Sequence, residues 1–180
     1  MRYILIALGV GILAFALSLA VRLGAFKDVK IEISQEPEIL LIYKEHLGAY
    51  HKIVPVINEV EAWAKDKGIN CSKSFGEYLD NPEIVEEVRL RANGGCVVDK
   101  IPENLPAEIK SATKPSQSYI KAIFSGSPSI GPFKVYSPVQ RLAADQRLKL
   151  SGSTLEIYEI LATSNEPNSM TTTYLFSFEK

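Results

Sequence analysis

The sequence has 180 residues, room for one domain of ordinary size and not for two large ones. Lys and Arg total 20 against 21 Asp and Glu, a net charge of −1, which argues against a protein whose main work is gripping a nucleic-acid backbone. Hydrophobic residues at 46% suffice for a core, while two Cys and two His exclude a disulfide scaffold and leave little for a zinc site. No cofactor is expected.

The composition is uneven along the chain. From Tyr3 to Val21 no residue is charged and Ser18 is nearly the sole polar one. At about 1.5 Å per residue such a helix covers roughly 28 Å, close to the hydrocarbon thickness of a bilayer. Residues 1–28 are therefore expected to form a single-pass anchor, with residues 3–21 in the membrane and a short juxtamembrane linker. A cleaved signal peptide is the rival, with Met1-Arg2 as its n-region and Ser18 or Ala20 near the cleavage site. Against it, the run exceeds the usual h-region of about 7–15 residues and reaches Val21 without a polar c-region. A buried soluble helix is the third reading. The amine and Arg2 on one side stand against Arg22, Lys27 and Lys30 on the other, so the positive-inside rule leans by one base toward a cytoplasmic soluble part and leaves the extracytoplasmic side open. Residues 31–180 hold 16 bases and 20 acids, so the soluble part is mildly acidic.

After Lys30 the pattern changes. Val29 to Ile33 alternates as a strand, and Ile39 to Tyr43 is an apolar run suited to a strand buried on both faces. Leu47-Gly48-Ala49-Tyr50 leads into a helix to about Lys67, with Ile53, Ile57, Val60 and Ala64 as its buried stripe and Trp63 alongside, as core rather than ligand platform. Pro55 falls in the early turns, and Gly68 closes the helix. Strands over 74–79 and 88–98 are separated by the turn Asp80-Asn81-Pro82-Glu83. Lys100 to Pro115 reads as a connector.

The second half repeats the plan. Tyr119 to Phe124 is a strand, Ile130-Gly131-Pro132-Phe133 opens a helix to about Leu150, and strands follow at 155–158 and 171–178. An ungapped overlay of 47–67 on 130–150 matches Gly48 with Gly131, Tyr50 with Phe133, Pro55 with Pro138 and Val56 with Val139. The repeated order predicts an internal duplication with halves of about 29–99 and 116–180 inside a domain spanning 29–180. The expected fold is α+β: duplicated β-α-β-β units form a mostly antiparallel sheet, with two helices on one face and a concave groove on the other. A ligand would sit in such a groove.

Gly48-Ala49-Tyr50 before a helix, the run Phe75-Gly76-Glu77-Tyr78-Leu79-Asp80-Asn81-Pro82, and Leu155-Glu156-Ile157-Tyr158 resemble the gyrase-inhibitor-like small-molecule-binding domain. The same domain forms the effector-binding part of several multidrug-responsive transcription regulators. The resemblance covers roughly Val29 to Lys180. It implies a groove for amphipathic or cationic organic molecules and, by position in the E-x-Y motif, Glu156 as the polar anchor. The regulators carry a helix-turn-helix segment where this chain has a hydrophobic helix, so direct DNA regulation is not expected.

Glu156 and Tyr158 lie two apart on a strand and share a face. If the Leu155 face meets the helices, both point into the groove. There a ligand cation would partner the carboxylate, and tyrosine rings would add about 0.5–2 kcal/mol by cation–π contact. The alternative is a solvated glutamate on an exposed strand. Tyr43, Tyr78, Tyr119 and Tyr174 lie on predicted strands, as groove lining or as packing. Glu77 reads as the corresponding polar residue of the first half, at the wet rim of the groove. His46 and His51 flank a turn and share no metal-ligand spacing. Cys71 and Cys96 become cross-strand neighbours if the hairpin turns between Asp80 and Glu87, and a bond there would imply an oxidising compartment.

The leading function is a membrane-tethered module that senses or sequesters an amphipathic or cationic small molecule. Two alternatives stand beside it. One is a hydrolase with Glu156 as general base assisted by Tyr158; the other is a scaffold or protein-interaction module.

Overall fold

A computed structural model of the protein describes residues 2–71, 73–161 and 169–179; Met1 and Lys180, at the ends of the expected ranges, lie outside them. The apolar N-terminal run forms helix α1, Arg2–Leu23. Tyr3–Leu23 has a mean hydropathy of 2.7 and none of it is buried, so it is long and apolar enough to cross a membrane. Gly24 ends it in the left-handed region (φ 82), where glycine meets no Cβ penalty.

Among the described residues eight strands and two more α-helices follow: β1 Val29–Glu36, β2 Ile39–Leu47, α2 Val54–Asp66, β3 Lys73–Tyr78, β4 Arg91–Val98, β5 Lys110–Lys114, β6 Gln117–Phe124, α3 Gly131–Asp145, β7 Lys149–Leu161 and β8 Ser169–Glu179. All strands join one antiparallel sheet in the order β1-β6-β8-β7-β3-β4-β2-β5. The units β2-α2-β3-β4 and β6-α3-β7-β8 are related by an approximate twofold axis between the central strands β3 and β7, with β5 and β1 added at the outer edges. The expected connector over 100–115 thus holds the edge strand β5, and the strand expected from residue 88 starts at Arg91 after a short 3-10 turn.

The helix ends fix how the halves correspond. Lys67 and Gln146 cap α2 and α3 with the same φ of −88° and ψ of 1°. Gly68 (φ 67) and Arg147 (φ 55) follow in the left-handed region, and Ile69 N–H and Leu148 N–H then return to Ala64 O and Ala143 O, each at 2.8 Å. Equivalent positions here lie 79 apart, where the ungapped overlay used 83. The matches Gly48/Gly131, Tyr50/Phe133, Pro55/Pro138 and Val56/Val139 are therefore not counterparts. Helix α3 also stops short of Leu150, because Arg147 takes the conformation that Gly68 takes in the first half.

Two short links decide the sheet's curvature. Pro37-Glu38 joins β1 to β2, and Pro115-Ser116 joins β5 to β6, each crossing between opposite sides of the strand order. Two linking residues span at most about 10 Å, so the sheet has to curl on itself. Its helix-free face lies inside the curl, where Ile39, Leu41, Phe75, Tyr119, Leu155 and Leu175 meet in one buried cluster. Both helices pack on the outer face. Val60 and Ala64 of α2 cover Ile42 and Cys96, while Val135, Val139 and Ala143 of α3 cover Ile120, Ala122, Phe124 and Tyr174.

Candidate functional site

Strand register places each site residue. Across the sheet, Lys44, Gly94, Gly76, Glu156, Tyr174 and Ala122 form one row of facing partners. Ala122 and Tyr174 belong to the core under α3, so the whole row faces the helices. Glu156 and Tyr158 therefore point toward the helices, and Leu155 and Ile157 point into the curl. This reverses the orientation on which the groove expectation rested. The cause is the curl: it supplies an apolar interior for Leu155 and leaves the helix seam for the acid.

Glu156 is 3% exposed. The Tyr158 hydroxyl donates to its Oε2 at 3.1 Å, and the Tyr136 hydroxyl of α3 donates to its Oε1 at 3.4 Å. Tyr78 Oη lies 2.9 Å from Tyr158 Oη; with the Tyr158 proton spent on the carboxylate, Tyr78 is the donor of that bond. From the other side, Ile53 and Ile57 of α2 pack with Ala92, Tyr50, Tyr78 and Tyr158. The Tyr50 ring meets Tyr78 edge-on at 4.8 Å, and Tyr136 meets Phe176 likewise at 5.2 Å. The acid thus lies at the seam between α2 and α3, under a layer of phenol rings.

Two glycines leave the floor beside it bare. A Cβ on Gly76 would come within 3.0 Å of the Tyr78 hydroxyl and 3.2 Å of the Tyr158 hydroxyl, and one on Gly94 within 2.9 Å of Ile57 Cγ1. The space over Gly76 is filled by the Tyr78 and Tyr158 phenols and that over Gly94 by Ile53 and Ile57. Behind Glu156, the fully buried Tyr174 hydroxyl reaches the spot a Cβ on Gly131 would take, at the start of α3.

Burial pushes the Glu156 carboxyl up to about 7, and the two phenol hydrogen bonds pull it down only in part. The phenols of Tyr158, Tyr78 and Tyr136 are raised as well, first by burial and then by the charge on Glu156, so they remain donors. Among the described residues the hydrogen-bond partners of this carboxyl group are neutral phenols.

The predicted site residues divide between the faces. Glu156, Tyr158, Tyr78 and Tyr174 come together on the helix side. Tyr43 and Tyr119 lie inside the curl with Ile39 and Leu41, away from the acid. Sequence reasoning missed Tyr136 and Tyr50; the available signal for Tyr136 was its place beside the buried stripe Val135–Val139. Glu77 is not at a wet rim and is not the counterpart of Glu156, for it faces the interior of the curl and is 3% exposed. There Lys114 Nζ (2.6 Å), Asn93 Nδ2 (3.1 Å) and the Ser153 hydroxyl bind its carboxylate. Burial raises the Glu77 carboxyl, but these partners outweigh it and hold the group below the usual range.

Cys71 and Cys96 are bonded, with Cα atoms 5.4 Å apart. The register differs from the expected one: Cys96 faces Ser74, and Cys71 reaches it from the segment before β3. His46 Nε2 bonds Ala49 O at 3.0 Å in the turn, and Trp63 packs on the α2 core. Among the described residues no cluster of His, Cys, Asp and Glu is arranged to hold a metal. Surface hollows of about 470 Å³ beside Arg147 and about 450 Å³ beside Asp99 lie away from Glu156.

No family model matches the chain. A DNA gyrase inhibitor of Pectobacterium carotovorum subsp. carotovorum is 28% identical over 83 residues, which are 46% of this chain and 53% of that protein. The match thus spans about half the length of that relative. The EcmrR C-terminal domain superposes with a TM-score of 0.66 at 16% identity, covering 84% of this chain and 98% of that one. EcmrR in its complex with DNA covers 99% of this chain and 70% of its own, with a TM-score of 0.68 at 16% identity. SAV2435 bound to tetraphenylphosphonium has a TM-score of 0.52 at 10% identity, covering 83% of this chain and 94% of that one. The chain resembles the gyrase-inhibitor-like domain in sequence over part of its length and shares the fold of the EcmrR C-terminal domain.

Proposed function

We propose that the protein is a membrane-anchored small-molecule-binding domain that takes amphipathic organic cations at the seam over Glu156. The observation that carries this reading is the buried carboxylate itself, roofed by tyrosines and floored by Gly76 and Gly94, with neutral donors where a cation would do better. A ligand would turn Tyr158 and Tyr136 aside, place its charge at Glu156 and lay its apolar body on the ring faces and over the glycines. Tetraphenylphosphonium, present in the SAV2435 structure, has that chemistry. Helix α1 supports the anchor. The Cys71–Cys96 bond favours an oxidising compartment for the soluble part and weighs against the cytoplasmic lean of the charges.

Calorimetric titration of the full chain in detergent with tetraphenylphosphonium tests the reading. Binding needs the ionised carboxylate, so affinity should rise up to about tenfold per pH unit below pH 7 and level off above it. Glu156→Gln should abolish both the binding and its pH dependence. Equal affinity in the variant would refute the site.

A further inference from the structure

The segment after α1 is not a loose tether. Gly24 is buried, and a side chain there would come 3.1 Å from the Gly126 Cα. Ser127 N–H donates to Leu23 O at 2.9 Å, Lys27 N–H to Gly24 O at 3.0 Å, and Lys134 Nζ reaches from α3 to Ala25 O at 2.7 Å. Strand β1 begins at Val29. The end of α1 is thus stitched to the corner between β6 and α3, with little slack for the domain to swing.

This fixes what lies beside the helix end. Its 22 residues measure about 33 Å, the depth of the hydrocarbon layer, so the residues just past Leu23 fall within the headgroup layer, roughly 6 Å deep on each side. Phe26 is there, 68% exposed, between Ala25 and Lys27. Phe133, 85% exposed, lies in the first turn of α3, next in sequence to the lysine that holds Ala25. At the far end of α1, Tyr3 is 86% exposed. Tyr3 at the far end suits the aromatic belt of a bilayer, and exposed phenylalanines beside basic residues at the domain end suit the headgroup–acyl boundary.

We propose that Phe26 and Phe133 form a membrane-contact surface that inserts into the headgroup–acyl boundary of the bilayer α1 crosses, seating the domain in one orientation. This rests on reading α1 as a retained anchor. Ile84, 81% exposed in the loop between β3 and β4, lies beyond the opposite strand ends and should face water.

The full chain is reconstituted in phosphatidylcholine vesicles whose acyl chains are brominated either near the headgroup, to read positions 26, 133 and 84, or deep in the chain, to read position 15, with unbrominated vesicles as reference. Trp63, the single native tryptophan, supplies the baseline, and one tryptophan at a time is added by Phe15→Trp, Phe26→Trp, Phe133→Trp or Ile84→Trp. The added emission at 15, 26 and 133 should fall by about twofold or more, since bromine quenches only rings within the lipid, while that at 84 stays unchanged. Quenching at 15 with 26 and 133 as bright as 84 would overturn the seat and leave the anchor standing. An unquenched Phe15→Trp would overturn the anchor and the seat with it. Quenching at 84 as strong as at 133 would overturn the single orientation.

Discussion

Burying Glu156 links folding to proton uptake. Its carboxyl titrates near 7 in the folded chain and near 4.5 when unfolded, so between those values the folded state holds the extra proton. This contribution is fully present below about pH 4.5 and is lost as pH rises through about 7, a swing on the order of 3 kcal/mol. Urea titrations of the full chain in detergent should show the parent losing stability from pH 5 to pH 8. Glu156→Gln should be flat across that window and more stable than the parent at pH 8. A parent without the decline would show that the carboxylate reaches water. Glu77 acts elsewhere on the scale: its carboxyl is held low, so its contribution is present at neutral pH and lost only on acidification below the ordinary carboxylate range. That Glu156 and Tyr158 share a face was legible from the E-x-Y spacing. Its direction was not, because Leu155 and Glu156 are both 3% exposed and alternation names a buried face only when the other is wet.

Among the elements, α2 shows how far pattern reading reaches. Its stripe of Ile53, Ile57, Val60 and Ala64 is buried as its spacing required, with Pro55 in the first turn. Helix α3 carries the same ending without the glycine that would have announced it, since Arg147 bears the positive φ itself. Strand β5 was missed for another reason: Lys110–Lys114 is a polar edge strand, and its main buried partner is an ion pair. Lys114, 28% exposed, pairs with Glu77, 4% exposed by side chain. Lys114→Met should strand the carboxylate and cost about 2 kcal/mol, below the figure for a fully buried pair because solvent screens the lysine. Adding Glu77→Gln should recover most of the loss. Urea midpoints of the two variants check this; equal losses in both would mean that the stranded Glu77 charge is not the source of the cost.

At the scale of the whole molecule, the duplication was legible in the order of elements, while its register and the closure of the sheet were not, because the closing links are two residues long and carry no periodicity. The Cys71–Cys96 bond closes a loop with a sequence separation of 25, which should contribute about 3 kcal/mol by restricting the unfolded chain. A phosphine reductant should lower the melting temperature by several degrees, and Cys71→Ser with Cys96→Ser should remove that sensitivity; a melting curve indifferent to reductant would mean the thiols are free in solution. The approximate axis passes between Gly76 and Glu156, which face each other across the central strands. In an association of two identical protomers, that point would receive the same amino acid from each side. Two carboxylates so placed would repel and share a proton, and two glycines would leave nothing for a guest to bind. Fusing both copies into one polypeptide frees the two positions to differ, so a twofold framework can carry a single charge beside its axis, and a guest of the kind proposed above would meet that charge in one pose.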